Sequence, residues 1–120
     1  MSIEVKRIYE RALASDGRRI LIDRLWPRGV SREKAALSEW MKVLAPSDQL
    51  RKWFDHDPDR WEEFKRRYFK ELDLKDEVEE LALTAKTDKI TLVYASKDEK
   101  HNNAVALREY ILGRARPSRD

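Results

Sequence analysis

The run Arg19-Ile20-Leu21-Ile22 breaks off into Asp23-Arg24-Leu25-Trp26-Pro27-Arg28-Gly29, and this junction decides how the rest of the 120-residue chain is read. Ile20-Leu21-Ile22 is continuous rather than alternating, the pattern of a central strand covered on both faces. Asp23 marks where that strand meets water. Pro27 cannot donate to a ladder and Gly29 tolerates positive φ, so the strand ends and the chain turns sharply. A buried strand that delivers a polar loop at its carboxyl end is where open α/β sheets keep their ligands.

A second apolar run, Ile90-Thr91-Leu92-Val93-Tyr94, ends in the same way in Ala95-Ser96-Lys97-Asp98-Glu99-Lys100-His101-Asn102-Asn103. Near the start, Ile3 and Val5 alternate with Glu4 and Lys6, as in a half-wet strand close to an edge. Between these runs the spacing is helical. Ser31 is placed to cap a helix carrying Leu37, Trp40, Met41 and Leu44, which Pro46 stops; Ser47 caps the next, whose face is Leu50, Trp53 and Phe54. Asp57-Pro58 opens a helix striped by Trp61, Phe64, Tyr68 and Leu72, and Leu74, Val78, Leu81 and Ala85 continue the spacing. Ala104, Leu107 and Ile111 form the inner face of a final helix ending at Gly113.

This order predicts an α/β domain over residues 1–113: a small, mainly parallel three-stranded sheet covered by helices in a Rossmann-like three-layer arrangement, its third strand parallel to the second. Residues 114–120 read as a frayed basic tail. The direction of the first strand is left open.

Composition narrows the chemistry. There are no cysteines, which removes disulfides, thiolate catalysis and thiolate metal sites. Two histidines are too few for a His-based metal centre without carboxylate help, and no metal or cofactor is expected. With 26 Lys+Arg against 23 Asp+Glu the net charge is only +3, a mixed surface and weak support for a nucleic-acid partner. No stretch approaches the ~18 apolar residues of a membrane span, and a cytoplasmic protein is the default expectation. Three glycines leave no GxGxxG, P-loop or GxSxG.

Adjacent parallel strands would bring both polar loops to one cleft. The candidate catalytic residues are then Asp23, His101 and Asp98, and the candidate ligand-binding residues Arg24, Trp26, Arg28, Tyr94, Ser96, Lys97 and Asn102. Arginines and a lysine beside a helix start suit phosphate or carboxylate, and Trp26 offers a ring to stack on. Each has a plainer reading. Asp23 beside Arg24 is more often a strand-end ion pair than a catalytic acid. Trp26-Pro27 reads equally as a hydrophobic plug. Ser96-Lys97-Asp98-Glu99 fits a capping box better than a nucleophile, and His101 reads equally as a general base or an exposed histidine. The acids of Asp55-His56-Asp57-Pro58-Asp59 suit a helix N-terminus better than a metal.

The heptapeptide 23–29, followed by Trp40, by Leu50-Arg51-Lys52-Trp53-Phe54, and by Tyr94-Ala95-Ser96-Lys97-Asp98 with Asn102-Asn103-Ala104, resembles the YeaO-like branch of the domain of unknown function 488 family, from about Ile3 to Gly113. The resemblance implies a compact α/β domain with both strand-end motifs on one cleft, and no established activity. In that branch the last loop often reads Asn-His-Ala; here the middle position is Asn103, with the histidine displaced to His101.

Two functions follow as expectations. In the first, Arg24, Arg28 and Lys97 hold an anionic, phosphate- or nucleotide-like small molecule, and Asp23 with His101 or Asp98 supports hydrolysis or group transfer. In the second, Arg11, Arg18, Arg19, Arg32, Arg114, Arg116 and Arg119 make a non-catalytic module for nucleic acid or a protein partner. A dimer contact through Trp26-Pro27 is a third reading, and the oligomeric state is left open.

Overall fold

The computed structural model describes residues 1–114; of the expected tail over 114–120, Arg114 is the last residue of the final helix and the rest lies outside the described residues. The strands are β1 (Ile3–Arg7), β2 (Arg18–Leu21), β3 (Glu39–Trp40) and β4 (Ile90–Tyr94). They form one parallel sheet in the order β1-β4-β2-β3. The sheet therefore has four strands where the sequence predicts three. β1 runs parallel to β4 on one edge, and β4 pairs β2 as expected from a helical crossover.

The extra strand comes from the stretch expected to be helical. The helix that Ser31 caps, α1 (Arg32–Ala35), stops at Ala36, whose φ of 47° is left-handed. Trp40 and Met41 then point to opposite sides of the sheet: Trp40 packs with Leu21 and Val93, Met41 with Ile20, Ile22 and Leu92. Adjacent residues buried on opposite faces require a period of two, and this overrides the helical spacing of Leu37, Trp40, Met41 and Leu44. Ser38 N–H donates to Arg19 O at 2.7 Å and Met41 N–H to Leu21 O at 2.8 Å, completing the edge.

The remaining helices are α2 (Asp48–Phe54), α3 (Trp61–Leu72), α4 (Glu77–Thr87) and α5 (Asn103–Arg114). Ser47 Oγ accepts from Leu50 N–H, and Asp57 caps the 3-10 turn Pro58–Arg60 ahead of α3. Phe64, Tyr68 and Leu72 of α3, Val78, Leu81 and Ala85 of α4, and Ala104, Leu107 and Ile111 of α5 pack on Ile20, Ile22, Ile90, Leu92 and Tyr94. Burying such a side chain stabilises the fold by about 1.5–3 kcal/mol. Leu74 does not continue the stripe; it lies between α3 and α4 and is 87% exposed.

The other face carries a thinner layer. Leu21, Val93, Ile8 and Ala35 form a small apolar cluster with Trp26, Leu37 and Trp40 against it, so the three layers are unequal. Toward the opposite end of this face the cover is ionic. Asp16 accepts from Arg19 at 2.7 Å and from Lys6 at 3.1 Å, and Arg19 Nε donates to Ala35 O. Arg19 is 3% exposed, which removes it from the basic surface to which the sequence reading assigned it. Gly17 (φ 67°) lets β2 start tight against Lys89, whose carbonyl oxygen would sit 2.5 Å from an added Cβ. Among the described residues no helix is long and apolar enough to cross a membrane.

Candidate functional site

Because β1, β2 and β4 are parallel, their carboxyl ends meet at one side of the sheet. Asp23 fastens two of them. Its Oδ2 accepts from Ala95 N–H at 2.9 Å, and its Oδ1 accepts from Asn103 Nδ2 at 2.9 Å, which also donates to Ile22 O at 3.1 Å. Burial pushes the Asp23 carboxyl up from its ordinary value, against the opposing pull of the Asn103 and Ala95 donors.

The loop after Asp23 folds back on Trp40. Trp40 Nε1 donates to Asp23 O and Trp26 Nε1 to Val30 O, both at 2.7 Å, and the two indoles meet edge to face with centroids 5.3 Å apart. Arg32 lies over Trp26, 4.9 Å from the ring centroid. Trp26 thus plugs the loop while still lining the cleft. Gly29 supplies the turn with a φ of 76°. Arg24 reaches the far wall, donating to Pro46 O at 3.3 Å with Asp48 at 3.6 Å. That wall, residues 43–47, is clamped by one face of α3 and the turn beyond it. Tyr68 Oη donates to Leu44 O at 2.5 Å, Glu71 accepts from Ser47 N–H and Oγ, and Lys75 donates to Val43 O.

The loop after β4 is ordered by Asp98. Its carboxylate accepts from the Lys100 and His101 N–H groups and pairs with His101 Nδ1 at 2.9 Å. Burial works to raise the Asp98 carboxyl, and these contacts outweigh it, holding the group below its ordinary value. His101 rests edge-on against Trp61, with centroids 5.4 Å apart. Ser96 Oγ accepts from Asp98 N–H in a local turn rather than the expected capping box, because α5 begins seven residues later. The cap is Asn102, whose Oδ1 accepts from Val105 N–H.

These loops enclose a cleft of about 820 Å³. Of the sequence-derived candidates it brings together Asp23, Arg24, Trp26, Arg28, Ser96, Lys97, Asp98, His101 and Asn102. Asn102 is 3% exposed and its amide is spent on α5 and Asp98 O. Tyr94 is not brought in; 3% exposed, its ring belongs to the helix-side core.

Arg7, Tyr9, Arg51, Lys52 and His56 also line the cleft, and sequence reasoning missed them. Arg7 Nε donates to Ser96 O at 3.0 Å and Ala95 O at 3.3 Å, and its guanidinium covers Tyr9, whose hydroxyl donates to Arg28 O. The direction of β1 was the needed signal, since a parallel first strand ends at Arg7. His56 follows Asp55, both left-handed, where α2 closes. Six cationic side chains thus face three carboxylates, Asp23, Asp55 and Asp98. Among the described residues no group of three or more His, Asp or Glu side chains is gathered to hold a metal ion.

Comparison with known proteins places this architecture. A model of the "Inactive DUF488-N3 subclade" matches residues 2–119. The chain belongs to the DUF488 family, in that subclade. It is similar to the uncharacterised protein YeaO of Escherichia coli (strain K12), 41% identical over 112 residues that cover 92% of this chain and 97% of the relative. It is also similar to the uncharacterised proteins Mb3100c of Mycobacterium bovis and Rv3073c of Mycobacterium tuberculosis, each 35% identical over 112 residues, 93% of this chain and 95% of the relative. No solved structure matches the chain. The YeaO-like DUF488 resemblance read from heptapeptide 23–29 therefore holds, and in this DUF488-N3 chain the heptapeptide is the loop that Trp40 and Asp23 pin beside the cleft.

Proposed function

We propose that the protein binds a small anionic molecule, phosphate-bearing by its chemistry, in the strand-end cleft and does not turn it over. The observation that carries this is the convergence of Arg7, Arg28 and Lys97 from three strand exits onto one cleft, with no carboxylate paired to any of them among the described residues. Charge-assisted bonds to phosphate oxygens would satisfy those donors. Binding without turnover is supported by the description of the subclade as inactive and by Asp23, both of whose oxygens are engaged in holding β2 to β4 and α5. A cytoplasmic location, where phosphorylated small molecules are kept, goes with this reading.

A second reading, proton transfer by His101 oriented through Asp98, rests on their 2.9 Å contact. One experiment separates the two. Amide-shift titration of labelled protein with inorganic phosphate should move residues 23–29, 95–103 and Arg7, and p-nitrophenyl phosphate should stay uncleaved. Cleavage that His101→Ala abolishes would favour the second reading. An absence of shifts would remove the anion site, and salt-sensitive shifts over Arg18 and Arg32 with a short RNA would favour a nucleic-acid module.

A further inference from the structure

The cleft assigned above to an anion also holds a carboxylate of its own. Asp98 lines it, and against the effect of burial the contacts that order its loop hold the group below its ordinary value. A bare carboxylate there would repel an anion. His101 answers that charge: its Nδ1 pairs with Asp98 Oδ2 at 2.9 Å, and the ring, 30% exposed, lines the same cleft. An ionised carboxylate only accepts, so Nδ1 is committed as a donor. Nε2 is then the ring nitrogen that His101 has left to offer, and it makes no hydrogen bond among the described residues.

On the footing of the anion-binding reading above, we propose that His101 is a further ligand of the anion beside Arg7, Arg28 and Lys97, and that it binds as the imidazolium. The protonation state decides what Nε2 can do. In the neutral ring it carries a lone pair and meets anion oxygens that also only accept; in the imidazolium it donates a charge-assisted bond. Asp98 supports the charged ring from behind, and the pair then brings no net negative charge to the cleft. The other groups around the ring come from every side. Its own loop carries Lys97 and Lys100, and α3 presents Trp61 edge-on, with Lys65 lying 5.5 Å over that indole and paired with Glu62 and Glu109. Asp55 and His56 come from the end of α2, Asp23, Arg24 and Arg28 from the exit of β2, and Arg7 from β1. Among the described acids only Asp98 touches the ring. An anion seated among these cations cancels their repulsion of a second ring proton, so anion binding and protonation of His101 strengthen each other by the same factor.

The test uses sulfate, which keeps the tetrahedral shape and the charge of a phosphate dianion and does not itself titrate near neutrality. Calorimetric titration of the full chain at constant ionic strength should show sulfate bound about tenfold tighter at about pH 5.5 than at about pH 8, as for one charge-assisted bond. His101→Gln should flatten that dependence, and His56→Gln should leave it in place. In the unmodified protein at about pH 7, sulfate should move the His101 ring signals in a proton spectrum toward their low-pH positions, a readout that does not depend on whether His101→Gln folds. A dependence that survives His101→Gln, or that His56→Gln removes, would overturn the assignment. Equal affinity at both pH values would also overturn it and leave the anion site standing. If neither sulfate nor inorganic phosphate binds at either pH, the anion site and this inference fall together.

Discussion

Asn103 and Asp23 are joined by a 2.9 Å hydrogen bond that ties the first residue of α5 to the exit of β2, and the other oxygen of the same carboxylate takes the Ala95 N–H at the exit of β4. Both oxygens face donors. Asp23→Asn would turn an amide NH2 toward one of them, so a loss of about 1–3 kcal/mol is expected by chemical denaturation. The pH dependence has a definite sign. The Asp23 carboxyl is raised in the folded protein, so between its ordinary value of 3.8 and the higher folded value the native state binds more protons, and stability falls as pH rises through that window. Asp23→Asn lacks this loss. Its deficit should therefore be largest near pH 3.8 and shrink as pH rises, and a constant or growing deficit would contradict the assignment.

Asp16 titrates in the opposite sense. Burial works to raise its carboxyl, but the Leu13 N–H, Lys6 and Arg19 outweigh this and hold it below 3.8. Its contribution is present above pH 3.8 and is lost as pH falls through the folded value. Asp16→Ala leaves Arg19 buried with no counter-charge and should cost about 3–5 kcal/mol. Asp16→Ala combined with Arg19→Met should recover a large part of that loss, which a double-mutant cycle in urea would measure.

Tyr68→Phe removes the donor to Leu44 O from a fully buried position and leaves that carbonyl without its partner. A cost of about 1–3 kcal/mol is expected. The 43–47 wall should loosen with it, seen as faster amide exchange at Ala45 and Ser47 while β4 amides keep their protection.

Gly17→Ala places a Cβ 2.5 Å from the Lys89 carbonyl oxygen at a φ of 67°. More than about 1 kcal/mol should be lost, since both the strain and the close approach oppose it. Gly29→Ala is the informative partner: φ is again positive, at 76°, but no atom lies within 4 Å, so only the backbone strain remains. Thermal unfolding should rank Gly17→Ala well below Gly29→Ala.

Leu74→Gln should change stability by no more than about 0.5 kcal/mol, the range of an exposed surface change. A larger loss would restore Leu74 to the helical stripe.

The central strands were legible because nothing competes with their reading. Ile20-Leu21-Ile22 and Ile90–Tyr94 are apolar on both faces, and a parallel strand inside a covered sheet needs that. β3 was not legible. Two residues give no periodicity of their own, and Trp40 and Met41 divide between the two faces only once Leu21 lies beside them. The burial of Arg19 was hidden for a similar reason: its partner Asp16 stands three residues before it, across a glycine turn that reads as solvent-facing. In the cleft, the loops after β2 and β4 announce themselves by abrupt polarity. Arg7 ends a half-wet strand in which charge is ordinary, and only the parallel pairing of β1 with β4 gives it a place. Asn102 is polar beside a candidate site, yet its side chain caps α5, a use that depends on where that helix starts.

The anchoring of Arg7 has a consequence for assembly in time. Arg7 ends β1, but the carbonyls that fix it, on Ala95 and Ser96, come 88 and 89 residues later. Among the described residues β1 has no other strand partner than β4. During synthesis β1 therefore waits without its sheet partner until β4 has been delivered, and the cleft comes into being only with that closure. A molecule held there would favour the closed chain by mass action, so that its concentration is felt as resistance of the first strand to peeling away.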